Sequence, residues 1–438
     1  MSSAWSPSLV RCALAHTKHL AKKSTKRRLL SSAFKPSSVG RKSAVGILYD
    51  QDVRWDVEAP KSNIDPACIV NSHTEWDPLE EVIVGRVDGA TIPEWHVSGK
   101  AVWPEKHWNM YKNHAGRSFP RELVQKAAKE LDDFSRVLEL EGVTVRRPEV
   151  RPGDFDRPVS TPDFKSKTQL YAAMPRDVLI VIGNEIIEAP MAWRSRFFEY
   201  RPFRSLIRYY FRQGGGWTAA PKPEMSDALY IPEDKWEEGA GRFVTTEHEP
   251  VFDAAEFTRM GRDIFCQRSQ VTNQFGIEWL QRHIGSEYQI HVLDFEDKNA
   301  MHIDGTFVPL GPGKILVNPK RPCITGNRKT FYTYRGETKE YSLPDMFKGW
   351  DIFVAESPTL PDSHPLYFTS PWTASCNVLL LDEKRVVCEA SEKPTIRAFE
   401  SWGFNVIKVP FRHFLPFGGS FHCATCDVRR RGTLQSYF

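Results

Sequence analysis

Seven side chains spread along the second two-thirds of the chain form a reagent set. Cys423 stands in Gly418-Gly-Ser-Phe-His-Cys-Ala-Thr-Cys-Asp, behind a glycine pair that lets backbone approach a ligand closely. His302 and Asp304 stand in Asn299-Ala-Met-His-Ile-Asp-Gly-Thr-Phe, Asp253 in Glu249-Pro-Val-Phe-Asp-Ala-Ala-Glu-Phe, and Asp177 closes Met-Pro-Arg-Asp. Thr369 and Ser370 supply two hydroxyls. One thiol, one imidazole and three carboxylates suit nucleophilic attack by cysteine on a cationic carbon centre. The thiolate attacks, the histidine moves protons, and the carboxylates hold a planar cation through paired hydrogen bonds. Carboxylates repel an anionic substrate and match a guanidinium. Arg321, after Asn318-Pro-Lys, is suited to the α-carboxylate of the same ligand.

Each residue also has a plainer role open to it. A buried cysteine is usually a small hydrophobe. Cys423-Ala-Thr-Cys426 is a CxxC, which raises dithiol or zinc chemistry. Zinc wants a second such pair, whereas Cys68, Cys266, Cys323, Cys376 and Cys388 are isolated. A thioredoxin-like motif opens a helix after an early strand, and this one lies near the C-terminus. The expectation is no metal and no cofactor. His302 is open to a structural role, although Met-His-Ile-Asp on a strand would send His302 and Asp304 to one side. Asp253 doubles as a cap for the helical-looking Ala254–Arg259. His422 adjoins the thiol but would point away from it on a strand, so it ranks below His302. Arg429–Arg431 reads as a solvated charge run.

Residues so far apart need a repeating frame to bring them together, and a helix, a glycine and a short β-rich run recur along the chain. Arg121–Glu141 carries an apolar helical face before Gly142, and Phe203–Arg212 precedes Gly214–Gly216. Asn273–Ile284 precedes Gly285, Leu343–Lys348 precedes Gly349, and Pro394–Trp402 precedes Gly403. Glycines 142, 215, 285, 349 and 403 mark five units. Hairpins lie between them at Val178–Ile182 with Glu185–Ala189, Phe307–Leu310 with Lys314–Val317, and Val378–Leu381 with Arg385–Cys388. Weaker hairpins are expected at Leu79–Arg86 and around Phe257–Cys266. Five hairpin–helix–strand units stacked around an axis bury one another's faces, giving an α/β ring. The competing arrangement is a two-layer α+β sheet. In the ring, the segment ahead of each hairpin reaches one mouth of the axis, where the seven side chains would meet.

The composition is that of a globular chain: 438 residues, 41% hydrophobic and 26% charged. No apolar run approaches the ~20 residues a membrane span needs. Ten Lys and Arg and no acid precede Asp50; taking them from the net +4 leaves residues 50–438 at −6. An acidic body argues against a nucleic-acid partner. Residues 1–45, basic and Ser-rich, read as a mitochondrial transit peptide, the plainer alternative being a disordered basic tail. Residues 46–438 then form one catalytic domain.

The motifs MHIDGTF, GPGKILVNPKRP, NEIIEAPMAWRSRFFEYR, FDAAEFTRMGRDIF and GGSFHCATCDVRRRGTLQSYF resemble those of the glycine amidinotransferases, from about Ser72 to Phe438. That resemblance implies a pentein fold, a five-bladed αβ-propeller, and transfer of the amidino group of arginine to glycine, giving ornithine and guanidinoacetate, the first step of creatine synthesis. It implies Cys423 as nucleophile, His302 as acid and base, Asp253 as its partner, and Asp177, Asp304, Arg321, Thr369 and Ser370 as substrate contacts. It also implies a homodimer at the outer face of the mitochondrial inner membrane. Two departures bear on the acceptor: the family's Ser-Ser pair is Thr369-Ser370 here, and Ile324–Tyr341 is a longer connection, read as a polar surface loop or a lid. Relatives with other amine acceptors, a guanidino hydrolase and a non-catalytic arginine binder are the alternatives.

Overall fold

The computed structural model describes residues 68–438 apart from 327, 335–336 and 361–369. The basic N-terminal segment and Thr369 therefore lie outside the described residues. The fold is α/β, built on five three-stranded sheets that share one pairing scheme. In each, a central strand pairs antiparallel with a leading strand and parallel with a returning one. The four continuous units are Leu179–Ile182, Glu185–Glu188 and Gly216–Ala219; Phe257–Met260, Asp263–Cys266 and Gln289–Val292; Phe307–Gly311, Lys314–Val317 and Asp351–Val354; and Leu379–Leu380, Arg385–Glu389 and Asn405–Val409.

The fifth sheet is assembled from both ends of the described chain. Its central strand Leu79–Val84 pairs parallel with Thr144–Arg146 and antiparallel with Thr425–Arg430. The hairpin expected at Leu79–Arg86 is therefore a single strand whose leading partner comes from the C-terminus. Gly85, which follows that strand, donates its N–H to the Ala424 carbonyl at 2.9 Å. It also packs so closely on Ala173 that an added Cβ would sit 2.0 Å from the carbonyl oxygen. Asn71 completes the join, its side-chain amide donating to the carbonyls of Arg430 and Gly432.

Helices connect central to returning strands at Arg121–Leu140, Arg204–Arg212, Gln274–Ile284 and Lys393–Ser401. The glycines ending three of the connections adopt nearly one conformation: φ is 88° at Gly142, 89° at Gly349 and 89° at Gly403. In the second unit Gly214, not Gly215, takes this role, with φ 89°. The fourth unit departs from expectation. Leu343–Lys348 is no helix but a 3-10 turn at Asp345–Phe347, because the preceding residues are drawn into a two-stranded hairpin, Arg328–Tyr334 with Glu337–Leu343. The long connection after Arg321 is thus ordered β-structure rather than a loop, and its base is anchored by buried Tyr341 and Leu343.

Helix Arg121–Leu140 shows how this frame reaches the thiol. Its buried residues Ala127, Leu131, Phe134 and Leu138 recur every three or four positions, one face of a helix. Phe134 meets Phe411 and Phe421 edge-on at 5.4 and 5.0 Å. Phe421 lies two residues before Cys423, so this aromatic cluster fixes the loop that carries the thiol. Truncating a buried aromatic such as Phe134 to Ala costs about 3–5 kcal/mol.

Candidate active site

The site residues occupy equivalent places in the five units: the short turn that leads into each leading strand. Asp177 lies in the one-turn helix Pro175–Val178 before Leu179. Asp253 precedes the 3-10 turn Ala254–Glu256 before Phe257. His302 precedes the 3-10 turn Ile303–Gly305, which contains Asp304, before Phe307. Ser370 leads into the short helix Thr373–Cys376 before Leu379. Cys423 lies in the turn before Thr425–Arg430.

The turns bring the side chains together. One atom each of Cys423, His302 and Asp177 lie within 4.8 Å of one another, all three residues buried. His302 Nε2 is 3.0 Å from Asp253 Oδ2 and its Nδ1 is 3.6 Å from Asp177 Oδ1. Cys423 Sγ donates to Asp304 Oδ2 at 3.4 Å. The backbone N–H groups of Ser420 and Cys423 both donate to Asn377 Oδ1 at 3.0 Å, pinning the thiol's loop to the unit that begins at Leu379.

His302 and Asp304 do not share a strand face. His302 has φ 56°, a left-handed conformation that a non-glycine residue adopts at a cost. That kink turns the imidazole toward Asp177 and Asp253, while the following turn sends Asp304 toward Cys423. Asp253 makes no capping bond to the turn it precedes; its carboxylate goes to His302 and Arg196 instead.

Arg196, which sequence reasoning missed, joins the acids. Its guanidinium donates to Asp177 at 2.9 Å, Asp253 at 3.1 Å and Glu199 at 2.8 Å. Glu256 was also missed; it accepts from the His302 backbone N–H at 3.4 Å. The only signal for Arg196 is its motif, Trp193-Arg-Ser-Arg-Phe, where a basic residue sits among aromatics. His422, set aside on a strand argument, lies in a turn and reaches Asp304 Oδ2 through Nδ1 at 2.7 Å.

Charge follows from this packing. Burial alone would lower His302, but Asp177, Asp253 and Glu256 outweigh it and hold the imidazole at about 10. Burial, then the charges of Asp304 and Asp177, push the Cys423 thiol well up. Burial raises Asp177 despite His302 and Arg196. Burial pushes Glu199 up to about 8 against the pull of Arg196, and Glu256 to about 7 against that of His302. Burial would raise Asp304 too, but the bond from His422 reverses that and holds it low. The site is an imidazolium beside a protonated thiol, ringed by acids in excess of cations. Both imidazole nitrogens of His302 face carboxylates, which fits proton transfer better than metal ligation.

The chemistry faces a cavity lined by Trp103, Asn299, Met301, His302, Asp304, Arg321, Ser370 and Cys423, among others. A second cavity, lined by Tyr171, Asp177 and Arg196 among others, shares His302 with the first. Arg321 is held at the wall of the first by Asp297, 2.9 Å from Nε, and by Thr306 Oγ1, which accepts from Nη1 at 3.2 Å.

No family model matches the chain. It is similar to the mitochondrial glycine amidinotransferase of Danio rerio, 50% identical over 421 residues that make up 94% of each chain. The L-arginine:L-lysine amidinotransferase of Pseudomonas savastanoi pv. phaseolicola is 50% identical over 376 residues, 85% of this chain and 96% of that one. A solved amidinotransferase of the saxitoxin biosynthetic pathway from Microseira wollei is 48% identical, with TM-score 0.75 over 85% of this chain and 100% of its own. With relatives at about half identity across most of its length, this chain belongs to the amidinotransferase family and is an enzyme of amidino transfer.

Proposed function

We propose that the enzyme takes the amidino group of L-arginine onto Cys423 and passes it to glycine, giving L-ornithine and guanidinoacetate. The observation that carries this is the approach of Cys423, His302 and Asp177 within 4.8 Å beside a cavity with excess carboxylate. The arginine guanidinium lies between Asp177 and Asp304, and Arg321 pairs with its α-carboxylate. The arriving cation offsets the charges that hold the thiol protonated, so Cys423 gives its proton to solvent and the thiolate forms when substrate is present; the thiolate freed at the end of the cycle takes a proton back as product leaves. Sγ then bonds to the guanidino carbon while the bond from that carbon to the ornithine nitrogen breaks. His302, oriented by Asp253, gives its proton to that nitrogen and is left neutral. After ornithine leaves, the neutral imidazole takes a proton from the incoming amine, whose nitrogen bonds to the amidino carbon as the thiolate departs.

Ser370 lines the donor cavity, and its sequence neighbour Thr369, outside the described residues, carries one methyl more than the serine it replaces, which should disfavour bulky amines more than glycine. One methyl shifts discrimination by about 1–3 kcal/mol, enough to reorder acceptors. Relatives equally similar to this chain carry different acceptors in their names, so the acceptor needs direct measurement. Five units of one topology, one closed by strands from both ends, support a five-bladed propeller of residues 46–438. The mitochondrial relatives support a mitochondrial enzyme with residues 1–45 as its transit peptide. Among the described residues no helix is long and apolar enough to cross a membrane, and we place a homodimer peripherally at the inner membrane's intermembrane-space side.

The test is to give the protein arginine alone, weigh the protein for an amidino adduct at Cys423, and then supply a panel of amines. Adduct with ornithine, followed by guanidinoacetate from glycine, is the expected result. Urea or citrulline without an amine would make it a hydrolase. A larger amine used much faster than glycine would overturn the acceptor and leave transfer standing.

A further inference from the structure

Immediately before the nucleophile, His422 sits between two carboxylates. Its Nδ1 is 2.7 Å from Asp304 Oδ2, the same oxygen that accepts from the Cys423 thiol at 3.4 Å. Its Nε2 is 3.2 Å from Glu75 Oε2. All four residues are buried. Glu75 is itself immobilised, accepting from Arg259 Nε at 2.8 Å, from Arg259 Nη2 at 2.9 Å and from Arg176 Nη1 at 3.4 Å. Both Glu75 and Asp304 are held below the usual carboxylate range. The imidazole thus bridges the two carboxylates, one at each ring nitrogen.

We propose that His422, backed by Glu75, is a positioning residue that holds Asp304 ionised and aimed at the place where the guanidinium meets Cys423. The proposal rests on the amidino-transfer reading. Asp304 would otherwise share an oxygen with the thiol alone, free to rotate away or take up a proton. His422 fixes its rotamer by a charge-assisted bond, and Glu75 prevents the imidazole from turning to follow Asp304.

The two ring nitrogens can be tested separately. H422N keeps a donor near the Nδ1 position that faces Asp304, and H422Q keeps one near the Nε2 position that faces Glu75. Positioning predicts that H422Q loses about 10–100-fold in kcat/KM for arginine, while H422N keeps the larger share of activity at a similar melting temperature. In a double-mutant cycle, H422Q should cost little more once Asp304→Asn is present. Equal losses in H422N and H422Q, or independent losses in the cycle, would overturn the proposal. Should either variant fail to fold, ¹⁵N NMR of the wild-type enzyme decides: a hydrogen on His422 Nδ1, the nitrogen facing Asp304, supports positioning, and an Nδ1 that carries none refutes it. A wild-type enzyme that forms no amidino adduct from arginine would instead refute the transfer reading, because the NMR result does not depend on it.

Discussion

Two buried charge clusters lie back to back, joined by His422, and they are balanced in opposite ways. On the cavity side Asp177, Glu199, Asp253, Glu256 and Asp304 meet the cations of Arg196 and His302. Behind them, Glu75 and Asp427 are paired with Arg176, Arg259 and Arg430. Asp177 Oδ1, Asp253 Oδ1 and Glu256 Oε1 are buried without a hydrogen-bond partner, whereas no side-chain atom of the five residues behind is left so. A saturated network is a fixture, because every charge already has its partner. Burial holds Glu199 at about 8 and Glu256 at about 7, so neither carries a full charge near neutral pH. What sets the site apart is its idle oxygens, on Asp177, Asp253 and Glu256, which leave acceptors open to a cationic ligand.

The largest effects should come from the cavity side. Cys423→Ser should abolish transfer and adduct formation, since a hydroxyl is a far weaker nucleophile than a thiolate. Cys426→Ser should keep most activity: its thiol faces away, donating to the Leu179 carbonyl at 3.5 Å. Equal loss in both variants would revive a dithiol mechanism. His302→Asn should slow both half-reactions about 10²–10⁴-fold, read by stopped adduct formation and by its discharge with amine. Loss of one half-reaction alone would mean that another group shares the proton.

The saturated side should answer through stability instead. Arg259 reaches Glu75, Asp427, Ser72 and the Val181 carbonyl. Arg259→Met removes the nearer of two guanidinium partners from buried Glu75 and one of three from buried Asp427, a loss of about 3–5 kcal/mol in urea unfolding. Because Arg259 also holds Glu75 behind His422, any loss in kcat/KM for arginine in the folded fraction should stay smaller than that of H422Q. A pure KM defect without destabilisation would erase the distinction between the two clusters.

That distinction was only half legible in the sequence. Gly183-Asn184 and Gly311–Gly313 announce hairpins, and the residues ahead of each leading strand follow from the repeat, so Asp177, Asp253, His302 and Cys423 could be brought to one mouth. Arg196 and Glu256 could not, because each matters through a partner more than fifty or forty residues away, and no local period records that. Leu79–Val84 looks like half a hairpin for the same reason: its leading strand is at the other end of the chain. His302 and His422 were placed by strand alternation, which fails where the backbone turns at φ 56° or leaves the sheet. Departures from local rules of this kind gather at the site itself.

Between the extremes stands Arg321, on the cavity wall and already paired with Asp297. A charge-assisted bond to the donor carboxylate contributes about 1.5–3 kcal/mol. Arg321→Ala should therefore weaken arginine about ten- to a hundredfold, and agmatine, which lacks the carboxylate, should be a poor donor for the wild type. Rapid agmatine turnover would remove Arg321 from the donor subsite.

The smallest and most divided effect concerns pH. On the cavity side the folded state raises Glu256 to about 7, Glu199 to about 8 and His302 to about 10, and lowers Asp304. A raised group binds its proton more tightly when folded, so its contribution is complete below the unfolded value and is lost as pH climbs to the folded one. Stability should thus decline from about pH 4.5 for the two glutamates, and from about 6.5 to about 10 for His302. Behind the site, Glu75 and Asp427 are held far below their ordinary range, despite burial, by Arg259 and Arg176. A depressed group contributes fully above its unfolded value and is lost as pH falls, so this cluster fails in acid, below about pH 4.5. The unfolding midpoint should therefore fall at both ends, the alkaline limb belonging to the raised groups of the site and the acid limb mainly to the support, with Asp304 adding to it. His302→Asn should flatten the decline between about pH 6.5 and 10 and leave the acid limb in place. If that substitution flattened the acid limb instead, the opposition between an acid-rich site and a saturated support would be wrong.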